Sequence, residues 1–157
     1  PSAGGRGRFR RAAGGAWELV RSEWHLDGIR GLTGYAGEND GMTTPTRFRM
    51  YYEDEDLWLY FETDEEGWAA RHIEIRGKDA RPVTAASLKE VLHLRDHAGV
   101  PAMLRYERRY GILAEGPLDG WQDQPHAAEL TAEEFDRLWT EARQTLDARA
   151  ELAKESP

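Results

Sequence analysis

Residues 47–76 carry the pattern that most narrows what this chain can fold into. RFRMYYE, LWLYFET and WAARHIEIR each alternate polar and apolar side chains, with the acidic stretches EDED and DEEG between them. A period of two places successive side chains on opposite faces of a strand, so the segment predicts a three-stranded antiparallel meander. Phe48, Met50 and Tyr52 point one way, matched by Leu57, Leu59 and Phe61 and then by Ile73 and Ile75. The other face receives Arg47, Arg49, Tyr51, Trp58, Tyr60, Glu62, Trp68, His72 and Glu74. An aliphatic sheet face has to be covered, and helices are the usual cover.

Helical signals follow in the second half. Ser87-Leu-Lys-Glu90 has the form of a capping box, in which serine meets the backbone of Glu90 and Glu90 reaches back. Leu88, Val91 and Leu92 then form an apolar stripe, with Gly99 as the stop. PAMLRYERRYG, from Pro101 to Gly111, reads as a helix with Met103, Tyr106 and Tyr110 on one side, although a strand through Leu104, Tyr106 and Tyr110 also fits. The strongest helix begins at Thr131, where Thr131 and Glu134 form a second capping box and Leu130 staples onto Phe135. Phe135, Leu138, Trp139, Ala142 and Leu146 line its apolar face, which is expected to cover the sheet.

The fold expected is therefore α+β: an antiparallel sheet of three to five strands, packed against a capped C-terminal helix and one or two further helices. Residues 16–153 form a single globular domain on this reading. Residues 1–15, rich in Gly and Arg with little to bury, are expected to be a flexible tail. Trp17 and Leu19, with Trp24 and Leu26, suggest a first strand interrupted near Ser22. The glycine-rich stretch 28–46, around Tyr35, reads as a long connection able to face a ligand or partner.

Charge narrows the partners. The formal net charge is −8, and residues 1–15 hold four arginines and no acid. Setting those four aside leaves 17 basic against 29 acidic residues, a charge of −12 for the body. Such a surface repels nucleic acid and anionic membrane and attracts a basic partner. There is no cysteine, which removes disulfides, thiolate catalysis and cysteine zinc sites. No apolar run reaches the ~18–20 residues of a membrane span, and no signal-peptide core is seen, so a cytoplasmic location is expected. The basic residues are 18 Arg and three Lys, a bias expected of GC-rich, actinobacterial coding.

Most catalytic signatures are missing. There is no phosphate-binding glycine loop, no dinucleotide fingerprint and no G-x-S-x-G elbow. The four serines are Ser2, Ser22, Ser87 and Ser156, none placed as a nucleophile. His93 and His97 share a helix face at metal-ligand spacing, yet position 94 is Leu where a zinc protease has Glu, and no third ligand stands by. They read as surface histidines near a helix C-terminus, so no metal and no cofactor is expected. His72 and Glu74, two apart on one strand, could pair as base and orienter if a pocket enclosed them.

Two segments resemble an uncharacterised family of small bacterial α+β domains. YFETDEEGWAARHIEI fits a D-x-x-G-W-x-x-R-x-[IV]-E hairpin through Asp64, Gly67, Trp68, Arg71, Ile73 and Glu74. ELTAEEFDRLWTEA fits a closing [IV]-[ST]-x-E-E-F-x-x-[LVI]-W helix through Thr131, Glu133, Glu134, Phe135, Leu138 and Trp139, with Leu130 where the family pattern has Ile or Val. The resemblance implies a small α+β domain and no particular activity.

Function is then expected at the aromatic and charged sheet face, with Trp58, Tyr60, Glu62, Trp68, His72 and Glu74 as the binding residues. The reading favoured is a non-enzymatic binding or protein-interaction domain, of immunity or adaptor type, docking a basic protein. The alternative is a small-molecule-binding protein or enzyme with a pocket around His72, Glu74 and Trp58.

Overall fold

The computed structural model describes residues 8–11, 17–20, 45–65, 67–114, 118 and 120–155, the first two segments through their backbone alone. Strands β1 (Arg8–Arg11) and β2 (Trp17–Val20) pair antiparallel as a hairpin, Arg8 opposite Val20 and Arg11 opposite Trp17. The glycine-rich stretch 28–41, with Tyr35, and the positions Trp24 and Leu26 lie outside the described residues.

Five strands make the main sheet: β3 (Thr46–Tyr52), β4 (Leu57–Thr63), β5 (Ala69–Arg76), β6 (Arg81–Ser87) and β7 (Ala128–Glu129). Their order is β6-β5-β4-β3-β7, and every pairing is antiparallel. Helices α1 (Leu88–His97), α2 (Gly99–Tyr110) and α3 (Ala132–Glu155) complete the α+β fold. Strand β6 has no clear signature in the sequence, since Pro82 and two alanines give RPVTAAS little strand propensity. As an edge strand it tolerates them.

The β3–β4 turn closes through a 3-10 turn at Glu53–Glu55 and Asp56 at φ 52°, a left-handed conformation that Asp tolerates. Asp56 accepts from Tyr51 Oη at 2.5 Å and from the Lys78 N–H at 2.7 Å, tying this turn to the next one.

Register then decides the faces, and it overturns part of the expected grouping. Phe48 sits opposite Phe61 and Met50 opposite Leu59, as alternation predicts. Between β4 and β5, however, Leu59 is opposite Glu74, Phe61 opposite His72, and Tyr60 opposite Ile73. Opposed residues share a face. Ile73 and Ile75 therefore stand on the Trp58–Tyr60 side, while His72 and Glu74 stand with Leu59 and Phe61. The register shifts between Glu62, opposite Arg71, and Thr63, opposite Ala69, leaving Ala70 as the extra residue of a bulge. One such residue reverses the side to which every later side chain points.

Both faces are consequently buried, each in its own core. One holds Phe48, Met50, Leu57, Leu59, Phe61 and Ala69 beneath Ala114, Leu118 and Trp121, whose indole stacks on Phe48 at 4.3 Å and 5°. The other holds Ile73 and Ala85 against Phe135, Ala142 and Leu146 of α3, with Tyr60, Ile75, Leu138 and Trp139 at its margin. The C-terminal helix thus covers the sheet, across β6 and β5, on the face opposite to the one expected.

Helix starts follow the sequence closely. Thr131 Oγ1 accepts the Glu134 N–H at 3.2 Å while Glu134 Oε2 accepts the Thr131 N–H at 2.8 Å, a complete capping box. The box at α1 is half made. Ser87 Oγ accepts the Glu90 N–H at 3.4 Å, but the Ser87 N–H donates to Tyr106 Oη at 2.9 Å instead of to Glu90. The Glu90 carboxylate is taken by Tyr106 Oη and by the Arg143 guanidinium. Segment 101–110 is helical, within α2. That helix ends at Gly111, whose φ of 84° and ψ of −172° suit only glycine, and where a Cβ would stand 2.5 Å from Thr84 Oγ1.

Candidate functional site

The six residues singled out from the sequence fall on two faces. Trp58, Tyr60 and Glu62 share one side of β4, and counting back through the bulge puts Trp68 on that side as well. His72 and Glu74 are on the other side, inside the Phe61 core. No pocket can enclose His72, Glu74 and Trp58 together, because the sheet lies between them.

His72 is 1% exposed. Its ring lies flat on Phe61 at 4.5 Å and 16°, and Nδ1 accepts the Ala114 N–H at 3.3 Å. Desolvation pushes the imidazole pKa down to about 3, with the Ile112 carbonyl pulling weakly the other way. The ring is therefore neutral at physiological pH, and its 3.7 Å approach to Glu74 Oε1 is a contact with an uncharged imidazole. A group that takes a proton only near pH 3 makes a poor general base at neutral pH. Burial of this kind marks His72 as part of the core.

Glu62 is equally committed. Arg71 grips it with Nε and Nη2 at 2.7 Å each, and Arg47 Nε adds a contact at 2.8 Å. Desolvation would raise its pKa, but the hydrogen bonds and charge of Arg71, with those of Arg47, outweigh it and hold the carboxyl below its usual range. Arg71 also reaches Asp136 at 2.7 Å and lies 4.8 Å from the Phe135 ring and 5.3 Å from Trp139. This network pins α3 to the sheet. Trp68, at the β4–β5 turn, gives its N–H to Asp64 Oδ1 at 3.0 Å, and its carbonyl accepts the Asp64 N–H at 2.9 Å.

What remains open is the end of that face where β3 and β4 meet. Trp58 and Tyr51 are half-buried with ring centroids 5.0 Å apart. His126 closes on both, 5.8 Å from Trp58 and 5.7 Å from Tyr51, and Arg49 stands 5.2 Å from the Trp58 ring. Beside them runs the acidic turn, with Glu53 and Asp54 exposed. Burial, with the Arg49 charge opposing, raises the Tyr60 pKa, and the hydrogen bond to Asp56 raises that of Tyr51, so both phenols stay protonated. Arg49 and Tyr51 share the parity of Trp58 and were legible as members of this face. His126 was not, because it lies in a turn with no periodic pattern and only the chain reversal at 124–127 brings it here.

Backbone groups along β6 and along the outer side of β3 already have partners. Along β6, Ala85 O accepts Arg143 Nε at 2.9 Å and Pro82 O accepts Arg149 Nη2 at 3.0 Å. Along β3, the Tyr51 N–H reaches Pro125 O at 2.9 Å, Arg47 O accepts the Leu130 N–H at 2.8 Å, and β7 pairs between them. An incoming strand would find these groups already bonded.

The rings of His93 and His97 are neighbours, tilted by 44° with centroids 4.8 Å apart. Among the described residues no group of three or more His, Cys, Asp or Glu could hold a metal ion. Nor is any described helix long and apolar enough to cross a membrane. No protein-family model, no curated protein and no solved structure matches this chain.

Proposed function

We propose that this chain is a non-enzymatic protein-interaction domain that docks a basic partner through the Tyr51–Trp58–His126 end of its sheet. The observation that carries the reading is the half-buried aromatic cluster set directly beside the exposed carboxylates of Glu53 and Asp54. Aromatic rings offer contact area and a π-face to a cation, and neighbouring carboxylates draw it in. The bonds already made along β6 and β3 favour docking on the face over strand addition there. The neutral, buried His72 and the clasped Glu62 weigh against a catalytic role for this sheet.

The test is a calorimetric titration of the full chain with an octa-arginine peptide, with octa-glutamate as control. Salt-sensitive binding of the basic peptide alone is expected, weakened at least tenfold by Trp58→Ala, which is about 1.4 kcal/mol. Charge reversal at the exposed Glu53 and Asp54 is expected to weaken it as well. Folded variants that bind as tightly as the parent chain would refute the proposal.

A further inference from the structure

The outer face of α2 is apolar and basic on a chain that is acidic as a whole. Val100 and Leu104 are 42% and 45% exposed, and Pro101, Arg105 and Arg108 are exposed with them. Helical spacing sets Val100, Leu104 and Arg108 in one line, with Pro101 and Arg105 alongside. A single exposed apolar side chain is ordinary, but here two stand one turn apart beside two guanidinium groups. Arg109 is paired with Asp147, whereas among the described residues neither Arg105 nor Arg108 makes an ion pair.

The inner side of the helix is committed to the fold. Met103 is buried, and Tyr106 Oη accepts the Ser87 N–H at 2.9 Å. Arg109 Nε and Tyr110 Oη both donate to Asp147 Oδ1, at 2.8 and 2.6 Å. These bonds hold α2 against the end of β6 and against α3, so its outer face is preformed and docking there would cost little in ordering.

The Tyr51–Trp58 end of the sheet has the complementary character. Its rings are half-buried and the carboxylates of Glu53 and Asp54 beside them are exposed. An arginine suits both features, since its fork matches a carboxylate and its plane stacks on an aromatic ring. Val100 and Leu104 would bring apolar area to the same rings. The two surfaces cannot meet within one chain. Helix α2 packs on β6 while Tyr51 lies on β3, and in the order β6-β5-β4-β3-β7 those strands are three spacings apart, ~14 Å. A second copy can bring them together.

We propose that the outer face of α2 docks on the Tyr51–Trp58 end of a second copy of this chain, joining copies head to tail. The inference rests on the reading that this end accepts a basic surface, and it names that surface. Because the two patches differ, the contact is heterologous and association need not stop at two copies.

The experiment is sedimentation velocity on the full chain over a wide range of protein concentration. The average mass of the parent chain is expected to rise with concentration. Two variants at exposed positions remove one surface each: Arg105→Glu with Arg108→Glu, and Glu53→Gln with Asp54→Gln. Each is expected to weaken association about tenfold or more. Mixing the two variants should restore it, since each supplies the surface that the other has lost, and unfolding of one variant would instead leave the mixture monomeric. Octa-arginine should dissociate the parent assembly and should still bind the Arg105→Glu/Arg108→Glu chain. The inference is overturned if the parent stays monomeric, if either folded variant associates as the parent does, or if the mixture of folded variants does not associate. A monomeric parent that binds octa-arginine would refute the inference alone and leave the docking of a basic partner standing. A monomeric parent that binds octa-glutamate through Arg105 and Arg108 would assign α2 to an acidic partner instead.

Discussion

Acid should unfold this protein through His72, and the size of the effect follows from where the ring sits. Its folded pKa is pushed down to about 3, whereas an exposed imidazole in the unfolded chain titrates near ~6.5. Between those values the unfolded chain binds a proton that the folded one refuses, so stability is full above ~6.5 and falls as the pH drops toward ~3. The loss integrates to about 2 kcal/mol at about pH 5 and about 3 kcal/mol at about pH 4. Against a typical total of ~5–15 kcal/mol, that is a large share. Among the described residues, Phe61, Ala86 and the 112–114 backbone offer the imidazolium no charge, and Glu74 is the ionisable group facing it. The assay is urea unfolding followed by tryptophan fluorescence, comparing the parent chain with His72→Asn, which cannot titrate but can still accept the Ala114 N–H. The asparagine variant loses the stacking on Phe61 at every pH, so the informative quantity is how the difference between the two chains changes. It should move by about 2 kcal/mol in favour of the variant from about pH 7.5 to about pH 5. A change smaller than about 0.5 kcal/mol over that range would mean that Glu74 or entering water stabilises the charged ring, and the burial argument would fail.

Met50→Ala and Leu146→Ala should each cost about 2–5 kcal/mol in denaturant melts, and because the two residues belong to separate cores on opposite faces, the double variant should be additive within about 0.5 kcal/mol. Gly111→Ala should destabilise by at least about 1–3 kcal/mol, since its backbone suits only glycine and its Cβ would strike Thr84; an unmoved thermal midpoint would contradict that geometry. Thr131→Ala should remove about 0.5–2 kcal/mol from the same melts while leaving the peptide titration unchanged.

Local order was legible in the sequence because it is set by near neighbours. The three alternating runs at 47–53, 57–63 and 68–76 fall on the strands observed at 46–52, 57–63 and 69–76, and the Thr131–Glu134 pair located the start of the last helix. Parity within β4 correctly grouped Trp58, Tyr60 and Glu62. Relating one strand's parity to the next requires register, however, and here register depends on the single extra residue at Ala70, which alternation does not reveal. Matching apolar faces by composition misassigned Ile73 and Ile75, because the sheet is buried on both sides and either assignment hides aliphatic surface. Strand β6 exists because β5 offers it a ladder and Arg143 and Arg149 satisfy its outer carbonyls, neither of which can be read from RPVTAAS. His72 looked like a surface base and is a core residue for the same reason. His126, which supplies a wall of the Trp58 cluster, and Trp121, which caps the Phe48 core, are brought in by chain reversals that carry no period. Sequence fixes each strand's two sides; only long-range pairing decides which side is inside.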